Sequence, residues 1–189
     1  MNNKEPVAQL LAAPALLTAD IARLRDAIHG EMILPGDTDY DTARHVHNLI
    51  HDGYPALIVR PIDTDDVVDT VRFASDMGLT IAVRSGGHNA AGFGTVDGGI
   101  VIDLSLMRAI TIDADARIAR AQGGITAGEY TTATLAYGLI TPFGDSPSVG
   151  IGGLTLGGGT GWLSRKLGMT IDSLLAAELV TADGRKLHV

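Results

Sequence analysis

The sequence predicts an α+β fold, a small β-α-β unit followed by a larger, mainly antiparallel part flanked by helices. Three observations carry this reading. Ala56 to Val83 reads as strand, helix, strand; short strands divided by Asp/Gly turns follow it; and eight glycines fall among the 18 residues from Gly144 to Gly161. The chain divides accordingly into a lead segment, 1–35, a first subdomain, 36–95, and a second, 96–189.

The lead segment is rich in Ala and Leu. Thr18 or Asp20 is placed to cap a helix with Ile21, Leu24 and Ile28 on one face, and Pro35-Gly36-Asp37 marks its end. Tyr40 to Asp52 reads as a helix stopped by Gly53, which puts His47 and His51 four apart on one face beside His45. No HExxH pattern accompanies them, so solvated histidines are expected rather than a metal site. Ala56 to Arg60 is an apolar strand. Thr64 with Asp65 and Asp66 suits a helix N-terminus, Val67, Val71 and Ala74 form its apolar face, and Gly78 closes it. Thr80 to Val83 returns as a strand, and the crossover length favours parallel pairing of the two strands. Ile100–Asp103, Ile110–Asp113 and Arg117–Gln122 follow as strands. Thr126 and Glu129 form a capping box that opens a helix to about Tyr137, with Gly138 as its stop. A short helix is expected around Leu163 to Leu167, and Ala176–Thr181 and Lys186–Val189 form a hairpin around Asp183-Gly184. The chain stops inside that last strand, so a truncated domain is expected.

Composition narrows the function. The 189 residues are 46% hydrophobic and 19% charged, which argues against disorder. With 14 Lys and Arg against 22 Asp and Glu, the net charge is −8, a poor basis for binding nucleic acid or an anionic membrane. There is no cysteine, which excludes disulfides, thiolate metal sites, a cysteine nucleophile and a cysteinyl cofactor link. No apolar run reaches the roughly 18 residues of a membrane span. The stretch Val7 to Ala19 is too interrupted, by Gln9 and Pro14, for a signal peptide, so a cytoplasmic location is expected.

Two glycine-rich segments are read as leaving strands. In Arg84-Ser85-Gly86-Gly87-His88-Asn89 the glycines let successive N–H groups converge on an anion. In Gly150 to Gly161 they let backbone approach a ligand closely; tight turns are the plainer explanation of both. The nucleotide patterns fail. Each G-x-G, starting at Gly92, Gly150, Gly157 or Gly159, has Asp, Thr, Trp or Ser where the third Rossmann glycine belongs, and no Gly-Lys pair exists for a P-loop.

The run Val83 to Asn89, then Gly92, then Asp97 to Ser105, resembles the FAD-binding (PCMH-type) domain of berberine-bridge-enzyme-like oxidoreductases, in the vanillyl-alcohol oxidase superfamily. Gly123-Gly124, Ser146 to Gly153, Gly157-Gly158-Gly159 and Leu179 to Gly184 extend the likeness in the family's order. The resemblance implies a two-subdomain FAD-binding domain with the cofactor extended between the parts. It places the FAD pyrophosphate on the backbone of Arg84, Ser85, Gly86, Gly87, His88 and Asn89, with Gly92, Ser146, Val149, Gly150, Gly153, Gly157, Gly158 and Gly161 lining the rest. It also implies a covalent bond from His88 to the flavin 8α-methyl carbon, for which a neutral imidazole nitrogen is a suitable nucleophile. Some relatives add a cysteinyl link. Ser146 stands at that place and cannot form the thioether, so one covalent link at most is expected.

The implied function is FAD-dependent oxidation, with hydride moving from a small-molecule alcohol or amine to the flavin and then to oxygen or another acceptor. The resemblance puts the substrate domain and the catalytic base beyond residue 189, so catalytic residues are not assigned and the chain alone is expected to be inactive. Two alternatives stand beside it: a non-covalent FAD reductase of the same superfamily, and a non-catalytic binding module. Asp145 has equal readings as a ligand contact and a turn carboxylate. Trp162 reads as core in preference to a flavin-packing ring, Tyr130 and Tyr137 as a structural pair on one helix face, and His47 as a departure from the aromatic that relatives often carry.

Overall fold

The computed structural model describes residues 16–189, so most of the Val7 to Ala19 stretch lies outside the described residues. Helix α1 (Thr18–Ala27) begins after Leu17 with no side-chain cap, so neither Thr18 nor Asp20 caps it. The lead segment also supplies a strand, β1 (Glu31–Ile33), and helix α2 (Tyr40–Arg44) follows. Then come β2 (Leu57–Arg60), α3 (Thr64–Asp76), β3 (Ile81–Arg84) and β4 (Ile100–Asp103). The four strands form one sheet in the order β1-β2-β4-β3, with β1 antiparallel to β2. Strands β2 and β3 point the same way, but they do not pair: β4 lies between them, parallel to both. The sheet therefore draws on all three sequence segments, and β4, placed beyond the 95/96 division, is at its centre.

Leu57, Val59, Ile100 and Ile102 face one side of that sheet and pack with Leu24, Ile28 and, from α3, Val71, Phe73 and Ala74. Ile58 and Val101 face the other side with Ile33, Tyr40, Ala43 and Ala82. Burial on both faces is why β2 and β4 read as continuous apolar runs. The cap of α3 is Asp63, one residue earlier than Thr64, and its carboxylate accepts from Asp66 N at 2.9 Å. That bond, foremost, holds the Asp63 carboxyl below the usual range. Asp66 turns inward and accepts from the backbone N–H groups of His29 (2.7 Å), Gly30 (3.0 Å) and Ile62 (3.0 Å), tying α1 and β2 to the start of α3.

The antiparallel part takes the form of two hairpins, β5 (Ile110–Asp113) with β6 (Ile118–Ala121), and β7 (Glu178–Val180) with β8 (Lys186–His188). Between them lie α4 (Ala127–Leu135), α5 (Ile151–Leu156) and α6 (Ser164–Leu167). The capping box is present: Thr126 Oγ1 accepts from Glu129 N and the Glu129 carboxylate accepts from Thr126 N. Gly78, Gly138 and Gly184 take the left-handed φ values of +64°, +67° and +71° that these stops and turns require. No helix of the described residues is long and apolar enough to cross a membrane.

Candidate cofactor site

The helix expected from Tyr40 to Asp52 ends at Arg44, and Arg84 is the reason. Its buried guanidinium, at the end of β3, donates to the carbonyl oxygens of Ala43 (2.5 Å), His45 (3.1 Å) and Arg44 (3.4 Å). Those are carbonyls that a longer helix would use for its own next turn. The remaining NH2 bond goes to Asp103 at 3.0 Å, which also accepts from Arg60 at 3.2 Å. Arg84 thus shapes the wall of the site through its side chain. His45 is extended (ψ 144°), so His47 and His51 do not share a helix face. His51 Nε2 instead meets the Ala90 carbonyl at 2.9 Å, bracing the loop after β3, and Gly92 (φ +79°) lies so near the His51 ring that a Cβ would collide with it.

That loop, Ser85 to Asn89, meets the second glycine segment backbone to backbone. A Cβ on Gly86 would run into Gly150 N and sit 2.9 Å from the Ser148 carbonyl oxygen; one on Gly150 would sit 2.7 Å from Ser85 Cβ. Ser85 Oγ donates to the Gly123 carbonyl, which fastens the Gly123-Gly124 turn to the same junction. The second segment does not leave a strand, as its sequence suggests. Gly150 forms only an isolated bridge with Thr126, then serves as the N-cap of α5, a helix absent from the expectation. Gly158 (φ +91°) and Gly159 (φ +73°) turn the chain after it, and Gly161 passes close to the Phe143 backbone. Gly153 and Gly157 are exposed, and a Cβ on Gly153 would meet nothing.

Beside the first segment lies a cleft of about 430 Å³, bordered by His45, His47, Arg84, Gly86, Gly87, His88, Asp103, Thr126 and Ser148; no residue of Gly150 to Gly161 borders it. Among the described residues, the backbone N–H groups of Gly86, Gly87, His88 and Asn89 donate to no protein acceptor, while Gly87 adopts φ +72°. Consecutive amides without a protein acceptor around a left-handed glycine are a backbone arrangement able to bind an anion. The Asn89 side chain is engaged within its own loop, accepting from Ala91 N at 2.9 Å and Phe93 N at 3.3 Å.

His88 is half-buried in the cleft wall. Its ring stacks on His47, with centroids 4.0 Å apart and planes 17° from parallel, and its Nε2 lies 3.0 Å from Ser148 Oγ. Ser148 Oγ lies in turn 3.4 Å from Ser146 Oγ. Burial, and next the charge of His47, push the His88 imidazolium below its usual range, which favours the neutral ring at pH 7. Ser148 was given no role of its own by the sequence, and His47 was noted as a departure from an aromatic position but not as a partner of His88. The signal for Ser148 was its position two residues past Ser146 in a non-helical stretch, which allows both side chains to share a side.

The remaining candidates fall elsewhere. Trp162 is 86% exposed and is not a core residue of this chain. Tyr130 packs edge-on against Phe143 at 4.9 Å, whereas Tyr137 lies beyond the end of α4 and is exposed, so they do not form one face. Asp145 is exposed. One group of metal-ligand types, His29, Asp63 and Asp66, occurs among the described residues. The Asp66 oxygens there already accept three amide hydrogens, so the group is accounted for as the joint at the start of α3.

A family model described as "FAD binding domain" matches residues 55–189. The chain is 44% identical over 162 residues to (R)-6-hydroxynicotine oxidase of Paenarthrobacter nicotinovorans, covering 86% of this chain and 35% of that protein. It is 40% identical over 135 residues to berberine bridge enzyme-like 27 of Arabidopsis thaliana, covering 69% and 25%. Among solved structures, glucooligosaccharide oxidase from Acremonium strictum, described with a 6-S-cysteinyl, 8α-N1-histidyl FAD, superimposes with a TM-score of 0.84 at 33% identity, covering 90% of this chain and 36% of that one. The chain spans about a third of the length of the curated relatives it matches.

Proposed function

Because the chain belongs to the FAD-binding domain family, with berberine-bridge-enzyme-like relatives and FAD as its cofactor, we propose that it holds the flavin of an FAD-dependent oxidoreductase through a covalent bond to His88. The observation that carries this reading is the run of amides from Gly86 to Asn89 without a protein acceptor, with a half-buried imidazole, whose charged form burial disfavours, at its third position. When bound, FAD supplies hydride acceptance from a small-molecule alcohol or amine and passes the electrons to oxygen or another acceptor. The amides of Gly86 to Asn89 bind and orient the pyrophosphate, and Arg84 and Ser85 set the shape of that loop from behind. Gly92 turns the loop back, and Ser146, Val149, Gly150, Gly153, Gly157, Gly158 and Gly161 are assigned to the rest of the cofactor on the family resemblance alone, since none of them borders the cleft beside His88. The sheet-bearing part up to β4 and the part after it, rather than a division at 95/96, act as the two parts between which the cofactor lies.

His88 serves as the nucleophile in its neutral form, held in one orientation by Ser148 and the His47 ring. Ser146 supplies an oxygen where a thioether would need sulfur, and the chain has no cysteine, so the link is single. The relatives' activities on hydroxynicotine and oligosaccharides point to small-molecule substrates, with the substrate class itself open. Acid precipitation tests the reading. Yellow flavin stays with the pellet of the wild-type protein and moves to the supernatant in His88→Ala. Flavin released from the wild type would contradict the covalent link and favour a non-covalent FAD enzyme, and a colourless folded protein would favour a binding module.

A further inference from the structure

The two nitrogens of His88 are in unequal surroundings. Nε2 is engaged by Ser148 Oγ at 3.0 Å, and one face of the ring is covered by His47. The backbone of His47 is held to the same loop, its N–H donating to the Gly87 carbonyl at 3.1 Å. Among the described residues, Nδ1 has no protein partner. A neutral imidazole carries one N–H and one lone pair, and a single hydrogen bond at one nitrogen decides which is which. Ser148 Oγ has a second neighbour, Ser146 Oγ at 3.4 Å, that can take its hydrogen and leave its own oxygen to accept from Nε2–H.

We propose that Ser148 is a positioning residue for flavin attachment: it holds His88 with the hydrogen on Nε2 and the lone pair on Nδ1, and so directs the C–N bond to Nδ1. The proposal rests on the covalent reading above. In the balanced step, the imidazole Nδ1 bonds to the 8α carbon, and one hydrogen leaves that carbon while the imidazole gives up its N–H proton. Both protons and the electron pair pass to the flavin ring, from which dioxygen or another two-electron acceptor removes them. If the hydrogen sat on Nδ1 instead, the only lone pair would be on Nε2, already occupied by the Ser148 hydroxyl, and attachment would have to break that bond first.

The test compares wild-type protein with Ser148→Ala, Ser148→Thr and His88→Ala, each supplied with FAD. Two readouts are followed: the rate at which flavin becomes acid-precipitable, and the nitrogen that carries it, assigned by NMR on the isolated flavin peptide. Wild type and Ser148→Thr are expected to give one Nδ1-linked isomer at similar rates. Ser148→Ala is expected to attach about five- to tenfold more slowly, the worth of one net hydrogen bond, and to give both isomers. Acid-released flavin bound by Ser148→Ala before attachment is complete reports that its cradle is intact. A Ser148→Ala protein with the wild-type rate and a single Nδ1 isomer would overturn the role of Ser148 while leaving the covalent reading standing. An Nε2-linked wild type would do the same. Absence of acid-stable flavin from the wild type would overturn the covalent reading and this inference together, and is recognised by the wild type behaving like His88→Ala.

Discussion

Among the described residues, every buried hydrophobic side chain except Ile125 and Ala127 lies between Leu24 and Met107. Beyond Met107 the large apolar groups are mostly half-buried or exposed, Leu156 and Trp162 by 88% and 86%. The first region is held by side chains interdigitating on both faces of a sheet. In the second, and where it meets the first, backbone is pressed on backbone: Gly86 on Gly150, Gly124 on the Met107 carbonyl, Gly128 on Pro147 and Gly161 on Phe143. Side-chain packing creates stability without leaving room. Glycine contacts bring main chain together while leaving amides and small cavities at the seam, which is where the free donors of Gly86 to Asn89 lie. The candidate site thus lies at the seam, its loop and both histidines on the region with the core and Ser148 on the region with little core of its own.

Three substitutions break this contrast in descending order. Ile102→Ala, at the fully buried centre of β4, is expected to cost about 2–5 kcal/mol in denaturant unfolding, because it removes packing and leaves a cavity between α3 and the sheet. Gly150→Ala adds a methyl where Ser85 and Gly86 already stand and is expected to cost about 1–3 kcal/mol. Its diagnostic effect is functional: flavin retention falls, while hydrogen exchange in β2 and β4 stays as in the wild type. Trp162→Ala is expected to change stability by less than about 0.5 kcal/mol, since the ring packs on little of this chain. A large loss at Trp162, or a loss at Gly150 that spread to the sheet, would erase the distinction between the two regions.

Much of the secondary structure in both regions was legible because each signal was local. Ile100–Asp103 and Ile110–Asp113 have the bounds the sequence suggests, one from a continuous apolar run and the other from alternation. The Thr126/Glu129 box and the Gly78, Gly138 and Gly184 stops need only neighbours along the chain. Periodicity carries no pairing information, which is why the insertion of β4 between β2 and β3 could not be read from it. The early end of α2 depends on a guanidinium 40 residues away taking the carbonyl oxygens of Ala43, Arg44 and His45. Helix α5 forms in a stretch whose glycines disfavour helix, because Gly150 is fixed from outside by Ser85 and Gly86. At the site, the motif residues from Arg84 to Asn89 were visible, but the inward turn of the Arg84 side chain and the stack of His47 on His88 arise only when distant segments meet.

The most direct measurement is the mass of the proteolytic peptide that contains His88, taken from the flavin-loaded protein. A peptide heavier than its sequence by one flavin adduct, with fragmentation placing the added mass on His88, is the predicted result. An unmodified His88 peptide from protein saturated with FAD, or an adduct located on any other residue, would contradict the account.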